Sequence, residues 1–355
     1  MMHWMRSATA VVGALLTFLS ASPSWALTPT LIWQASGGYP AGFSADGTSF
    51  YMGTSSGWTS TGFQMRRATD GLVQKTITLP VASQLYDKAA FSPDKQFVAV
   101  SFVDATNVVK IEIYSLSTGS LVRTISTDAV RNIRGMDFSP DSSLLATMDR
   151  AAYGGGGVLR VFRTSDGSVV TKQGPFITNS NAFVKFSPGG TYLAFYENSG
   201  TTGFNFFRTS NWTSAQTMTQ GNQFFIQWVG NDTTGSVWLR GNFSISVPYR
   251  RISVPGGTVQ TTLSFDDSTR YVSAVTSNSK YLLSYIFANS DPSSPPANNI
   301  AFLRTTDGVA QVSYTLSSTT VSSGTINPAG TNFSYGICSD TGACSTYIAQ
   351  MPSLP

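Results

Sequence analysis

The chain is almost without histidine. Its single histidine, His3, sits in a leader-like N-terminal segment, so a chain cleaved behind that segment has none. Ser-His-Asp triads, histidine metal sites and imidazole acid/base chemistry are thereby excluded from the mature protein. Glutamate is nearly as scarce: Glu112 and Glu197 are the only two, and charged residues make up 11% of the 355 positions. Polar surface must come mainly from Ser, Thr, Asn and Gln. Beyond the leader no apolar run approaches the roughly 20 residues that a membrane helix needs. What is plentiful is apolar and aromatic, at 41% and 12% of residues. That composition excludes a disordered chain, and the length suffices for a large core in one big domain or two ordinary ones.

The leader has three parts. Arg6 stands in a short polar start, an apolar run follows from Ala8 to Leu19, and Ser20-Ala21-Ser22-Pro23-Ser24-Trp25-Ala26 places small residues at 24 and 26. This pattern predicts a secretory signal peptide over 1–26, with cleavage after Ala26 and a single exported domain over 27–355, in the periplasm or outside the cell. Removing Arg6 leaves 21 cations against 18 acids, a net charge of +3. That is close to neutral, without the concentrated basic patch of a nucleic-acid binder. Export gives an oxidising setting in which Cys338 and Cys344 form a structural disulfide across a hairpin loop. Their spacing is wider than the C-x-x-C of redox pairs.

The informative feature is repetition. Phe91-Ser92-Pro93-Asp94, Phe138-Ser139-Pro140-Asp141 and Phe186-Ser187-Pro188-Gly189 are plain copies, and Phe43-Ser44-Ala45-Asp46-Gly47 is a fourth. Weaker copies start at Trp228, Val275 and Ile326, with successive spacings of 48, 47, 48, 42, 47 and 51 residues. A turn ending in Gly keeps step at Gly71, Gly119, Gly167, Gly257 and Gly308, and Ser210-Asn211-Trp212 takes its place in the fourth repeat. Each repeat reads as four short strands. In the second, Lys88 to Phe91 enters a Ser-Pro-Asp turn. Phe97 to Phe102 follows, Val109 to Ile113 alternates with period two, and Leu121 to Ile125 closes the unit. Four-stranded units at this period predict an all-β, seven-bladed β-propeller of antiparallel blades. The last repeat supplies only three strands, so the N-terminal strand Leu31-Ile32-Trp33-Gln34 is expected to pair into the last blade and close the ring.

The F-S-P-D cores and the T-G or D-G turns resemble WD-repeat propellers, and more closely the bacterial YVTN-type repeats. Tyr39-Pro40-Ala41-Gly42-Phe43-Ser44-Ala45-Asp46-Gly47 is similar to that subfamily's entry sequence, and Leu121-Val122-Arg123-Thr124-Ile125 to its strand before the next blade. The Gly-His pair and the Trp-Asp ending of eukaryotic WD repeats are absent; Tyr114, Phe162, Phe207 and Phe302 lie near there instead. The resemblance implies a fold that hosts many functions. Related propellers include quinone-cofactor dehydrogenases and lactone-cleaving or lyase enzymes. This chain lacks the adjacent Cys pair of the first and the histidine of those that require one. No cofactor or metal is expected.

Propeller geometry puts the Ser-Pro-Asp and Thr-Gly turns on one face and the longer, variable loops on the other, where binding usually resides. The variable face is expected to gather Trp58, Lys88, Arg131, Arg134, Asp149, Arg150, Tyr153, Arg240, Asp266 and Arg270. Arginine forks suit carboxylates and protein surfaces, and aromatics anchor partners or stack on sugars. The favoured expectation is a non-catalytic module that binds a protein or peptide. The alternatives are a carbohydrate-binding envelope protein using Trp58 and Tyr153, and a histidine-independent hydrolase or lyase using Asp149 and Glu197.

Overall fold

The computed structural model describes residues 28–56, 59–79, 88–103, 108–128, 133–149, 157–176, 183–196, 203–218, 223–233, 235–241, 248–264, 270–286, 299–316, 321–338 and 344–355. Among them 28 strands form seven four-stranded antiparallel sheets. The first strand, β1 (Leu31–Ser36), belongs to the last sheet. Blade 1 is β2 (Gly38–Phe43), β3 (Ser49–Ser56), β4 (Thr59–Arg67) and β5 (Val73–Thr78). Blade 2 is β6 (Lys88–Phe91), β7 (Phe97–Val103), β8 (Val109–Ser115) and β9 (Leu121–Ser126). Blade 3 is β10 (Ile133–Phe138), β11 (Leu144–Asp149), β12 (Gly157–Arg163) and β13 (Val169–Phe176). Blade 4 is β14 (Val184–Phe186), β15 (Tyr192–Tyr196), β16 (Phe204–Arg208) and β17 (Thr213–Met218). Blade 5 is β18 (Gln223–Val229), β19 (Ser236–Gly241), β20 (Tyr249–Ser253) and β21 (Val259–Leu263). Blade 6 is β22 (Arg270–Val275), β23 (Tyr281–Ile286), β24 (Asn299–Arg304) and β25 (Ala310–Thr315). Blade 7 is β26 (Val321–Ile326), β27 (Asn332–Cys338) and β28 (Cys344–Gln350), completed by β1. The first strands of the blades stand next to one another around the axis: β6 with β10, β10 with β14, β18 with β22, β22 with β26 and β26 with β2. The molecule is a seven-bladed β-propeller.

The repeated tetrapeptide makes the same turn each time. The Ser92 hydroxyl donates to Asp94 (2.6 Å) and accepts from the Phe97 amide (2.8 Å), while Asp94 accepts from the Gln96 amide (3.0 Å). Ser44 with Asp46, and Ser139 with Asp141, repeat this arrangement, and Thr276 with Asn278 repeats it in blade 6. Four residues after the turn-entry hydrophobic the backbone is left-handed: Gly47, Lys95, Ser142, Gly190, Ser279 and Gly330 all have φ between 59° and 79°. Three of these are not glycine, and each bears the steric cost of that conformation. The third-to-fourth-strand turns are equally regular. Gly71, Gly119, Gly167, Gly257 and Gly308 are left-handed, and Trp212, at φ 57°, takes that position in blade 4.

Blade 4 departs from the pattern in one informative way. Gly189 stands where the turn aspartate belongs, and the next blade supplies the carboxylate. Asp232 accepts from the Gly189 amide (2.8 Å) and the Thr191 amide (2.7 Å), and from the Ser187 hydroxyl. A Cβ on Gly189 would lie 2.8 Å from an Asp232 carboxylate oxygen. The missing side chain and the borrowed one occupy the same space.

The core is divided among the seams between blades. Ile111 and Ile113 of blade 2 pack with Ile133, Phe138 and Leu145 of blade 3, and Met148, Leu159 and Val161 of blade 3 with Val184, Leu193 and Phe195 of blade 4. Equivalent apolar clusters join blades 4–5, 5–6, 6–7 and 1–2. The last seam is closed by β1. It pairs antiparallel with β28, and Trp33, Ala35 and Ile348 pack on Phe50 and Met52 of blade 1. Trp33 donates from its indole N–H to the Ala68 carbonyl (3.0 Å) and meets Phe50 edge-on. Its ring lies over Gly71, where a Cβ would come within 2.7 Å of it. The N-terminal closure expected from the strand count is therefore the observed one.

Cys338 and Cys344 face each other across the β27–β28 hairpin and form a disulfide. Such a bond persists in oxidising compartments, and its presence is consistent with an exported protein.

Candidate functional site

The short-turn face is built by the two families of regular turns. The connections between second and third strands, and between blades, run to the opposite face, and most of their residues fall outside the described set. Of the side chains expected there, Trp58, Arg131, Arg150, Tyr153 and Asp266 lie outside the described residues, as do Glu197 and the leader. Lys88, Arg240 and Arg270 are placed by their backbone. Lys88 and Arg270 are the first residues of β6 and β22, at the loop-face end of the axial strands. Arg134 is the second residue of β10 at the same end, half-buried at a register shift between Ile133 and Gly135. Lys88 and Arg134 thus stand at the same end of adjacent axial strands, and Arg270 begins one in blade 6. Arg240 is set back on the second strand of blade 5, opposite Phe224.

Asp149 is the best-defined of these residues. It ends β11, and its carboxylate is buried against Arg160 of β12 at 2.8 Å, with side-chain exposures of 5% and 4%. It also accepts from the Val158 amide. Arg160 reaches a second carboxylate, Asp128, at 2.6 Å, and Asp128 pairs in turn with Lys172 of β13. Burial raises the Asp149 carboxyl above its ordinary range against the pull of Val158 and Arg160. The exposed Asp128 is held at about 2 by the Lys172 and Arg160 hydrogen bonds. The sequence singled out Asp149 but not Arg160. Arg160 sits between the inward-facing Leu159 and Val161, at the alternating position where a polar residue is ordinary, so the strand pattern carried no signal that it is buried.

A second site occupies the axis near the short-turn face. The residue just before each turn-entry hydrophobic is Gly42, Ala90, Asp137, Lys185, Gln227, Ala274 and Thr325 around the ring. Asp137 accepts from the Phe186 amide of the next blade (2.9 Å), and Gln227 likewise from the Val275 amide (2.9 Å). These contacts satisfy free backbone edges that a closed ring leaves facing its axis. Asp137 also pairs with Lys185 at 2.6 Å. On the other side small residues replace long ones, and a cavity of about 500 Å³ opens among Ala41, Gly42, Ala89, Ala90, Phe91, Asp137 and Lys185. The turn residues Ser44 and Ser92 and the rings of Tyr39, Phe43, Tyr51 and Phe63 also line it. The sequence reading placed no site at this end, because each of these residues is unremarkable within its own repeat. Only the ring assembles them. Among the described residues no group of three or more His, Cys, Asp or Glu is arranged to hold a metal ion.

No family model and no curated protein matches the sequence. Among solved structures the chain is similar to hydrazine synthase from Kuenenia stuttgartiensis, with a TM-score of 0.65 and 13% identity over 94% of this chain and 99% of that one. The structural likeness, at this low identity, shows the fold alone and carries no activity with it.

Proposed function

We propose that the protein is an exported propeller of the WD-repeat-like, YVTN type that serves as a non-catalytic binding module, taking a protein or peptide through its variable-loop face. The observation that carries this reading is the asymmetry of the ring. One face is tied down by repeated side-chain-to-backbone turns. At the other, Lys88 and Arg270 begin axial strands, Arg134 stands second in another, and the long connections start and end. A rigid scaffold presenting cations around one rim suits an acidic protein surface or peptide. The engagement of Asp149 by Arg160 and the Val158 amide favours a structural role for that carboxylate over acid/base work. The disulfide and the leader both support export.

Residues 27–355, immobilised, would be used to capture partners from an envelope or medium extract of the host, beside a variant with Arg131, Arg134 and Arg270 reversed to Glu. One protein held by the native ring and released by the variant is the expected outcome. Capture insensitive to the three reversals would remove this face from the reading. A blank capture together with glycan binding lost on Trp58→Ala would replace it with carbohydrate recognition.

A further inference from the structure

Blade 7 is the one blade whose outer strand does not continue from its third. In the other six a regular turn joins third strand to fourth, whereas β1 meets β28 only through hydrogen bonds. The sheets of the ring are covalently continuous except at β1–β28, and the disulfide between Cys338 and Cys344 lies on that same sheet. We propose that this disulfide is a redox latch on ring closure: a dithiol that reduces it frees the loop-face end of the joint between blades 7 and 1.

The argument starts from what holds that end. Cys344 is the first residue of β28, and its carbonyl accepts from the amide of Gly37 (3.0 Å), where the chain leaves β1. Ser345 then pairs with Ser36. The Thr346 hydroxyl donates to the carbonyl of Gly38, the first residue of blade 1 (3.2 Å). Ser36, Gly37, Gly38, Ser345 and Thr346 bring no large apolar side chain to this end. The apolar contacts of the seam begin further along, where Ala35, Trp33 and Ile348 meet Phe50 and Met52. Hydrogen bonds are therefore the main tie between the start of β28 and the Ser36–Gly38 crossing, and each contributes little net of water.

The disulfide fixes the start of β28 from its other side, because Cys338 pairs directly with Cys344. β27 is itself held by β26 and, through Phe333, Tyr335 and Ile337, by the apolar cluster between blades 6 and 7. The bond thus links a well-packed strand to the part of the joint that lacks apolar packing. Without it residues 344–346 fray, Gly37 loses its acceptor and Gly38 loses its donor. The Trp33 cluster keeps the rest of β1 in place, so the joint opens at one end and the blades stay folded.

Both cysteines are partly exposed, whereas Thr346 and Ile348 beyond them are buried, so a thiolate can reach the bond. One thiolate of the dithiol attacks a cystine sulfur, the S–S bond breaks, and the second thiol resolves the mixed disulfide. Cys338 and Cys344 take up two electrons and two protons and end as thiols, and the dithiol ends as its own disulfide.

The test is hydrogen exchange, read by mass spectrometry, on residues 27–355 oxidised, reduced with dithiothreitol, and as the Cys338→Ser/Cys344→Ser variant. Reduction should speed exchange at 34–40 and 344–347 by about ten- to fiftyfold, the gain expected from opening so short a loop. Exchange in β12 of blade 3, and at Gln350 and Met351 at the far end of the joint, should not change. Reoxidation with diamide should restore slow exchange. The serine variant should match the reduced protein and be insensitive to the reductant. Loosening confined to 338–344, with 34–40 unchanged, would overturn the proposal, because the bond would then serve its hairpin alone. So would loss of protection across all blades, or a disulfide that dithiothreitol leaves intact in the folded protein. The latch does not depend on what the loop face binds, so it and that reading fail separately.

Discussion

Exchanging the turn carboxylate between blades 4 and 5 tests the reasoning about the repeat most directly. Asp232→Ala removes an acceptor from the Gly189 amide, the Thr191 amide and the buried Ser187 hydroxyl. Hydrogen bonds to a charged acceptor contribute about 1.5–3 kcal/mol each. Gly189 and Thr191 are exposed, so water substitutes at their amides, and the loss should be about 2 kcal/mol in total. For a chain of this size that is a fall of roughly 4 °C in melting temperature. Gly189→Asp alone should also destabilise, by about 1–3 kcal/mol, because its Cβ enters the space of the Asp232 carboxylate and adds a like charge. The double variant Gly189→Asp/Asp232→Ala rebuilds the turn seen in blades 2 and 3. It should return to within about 0.5 kcal/mol of the native protein, a coupling larger than either single loss. Thermal and urea unfolding followed by circular dichroism would measure all four proteins. A double variant as unstable as the sum of its parts would refute the idea that the two positions share one function.

Other consequences are open to the same measurements. Ser279→Gly should stabilise by about 1 kcal/mol, since it relieves a left-handed serine whose backbone contacts remain; a loss of stability would show that the serine side chain does more than its contacts indicate. Trp33→Ala should cost about 3–5 kcal/mol by emptying the closing seam, whereas Trp33→Phe should cost less, with loss of the hydrogen bond to Ala68 as its main term. Asp128 should make the protein more acid-sensitive: its folded carboxyl is depressed to about 2 from 3.8. Its stabilisation is therefore present above the ordinary value and is lost as pH falls through that window. Asp128→Asn should flatten the urea midpoint between those two pH values, and an unchanged profile would count against the Arg160–Lys172 pairing.

Much of the ring was legible because its signals are local. Phe-Ser-Pro-Asp specifies a turn through the serine and aspartate side chains alone, and its spacing counts blades without any knowledge of packing. In the second repeat, Lys88 to Phe91, read from the turn it enters, and Val109 to Ile113, read from alternation, lie within β6 and β8. The closing role of Leu31 to Gln34 followed from a shortage of strands in the last repeat. What was not legible depends on neighbours in the ring. The loan of Asp232 to blade 4 is invisible in Trp228-Val229-Gly230-Asn231-Asp232, which reads only as a weak copy. The pairing of Asp137 with Lys185, 48 residues apart, emerges only when blades stand side by side. Asp149 illustrates the limit from the other direction. Its place at the end of a second strand was readable, but its capture by Arg160 required the strand pairing.

The closing seam also sets a timetable. The strand that completes blade 7 is among the first made, and its partners come from the other end of the chain: Leu31 pairs with Ala349 and Ser36 with Ser345. A nascent chain therefore carries an unpaired β1 through most of its synthesis, and blades 1 to 6 can stack only as an open arc with two bare apolar seams. Contacts this distant in sequence make the last step slow and leave the arc prone to joining another copy of itself. The oxidised β27–β28 hairpin shortens that interval, because it presents β28 as a finished template onto which β1 needs only to dock.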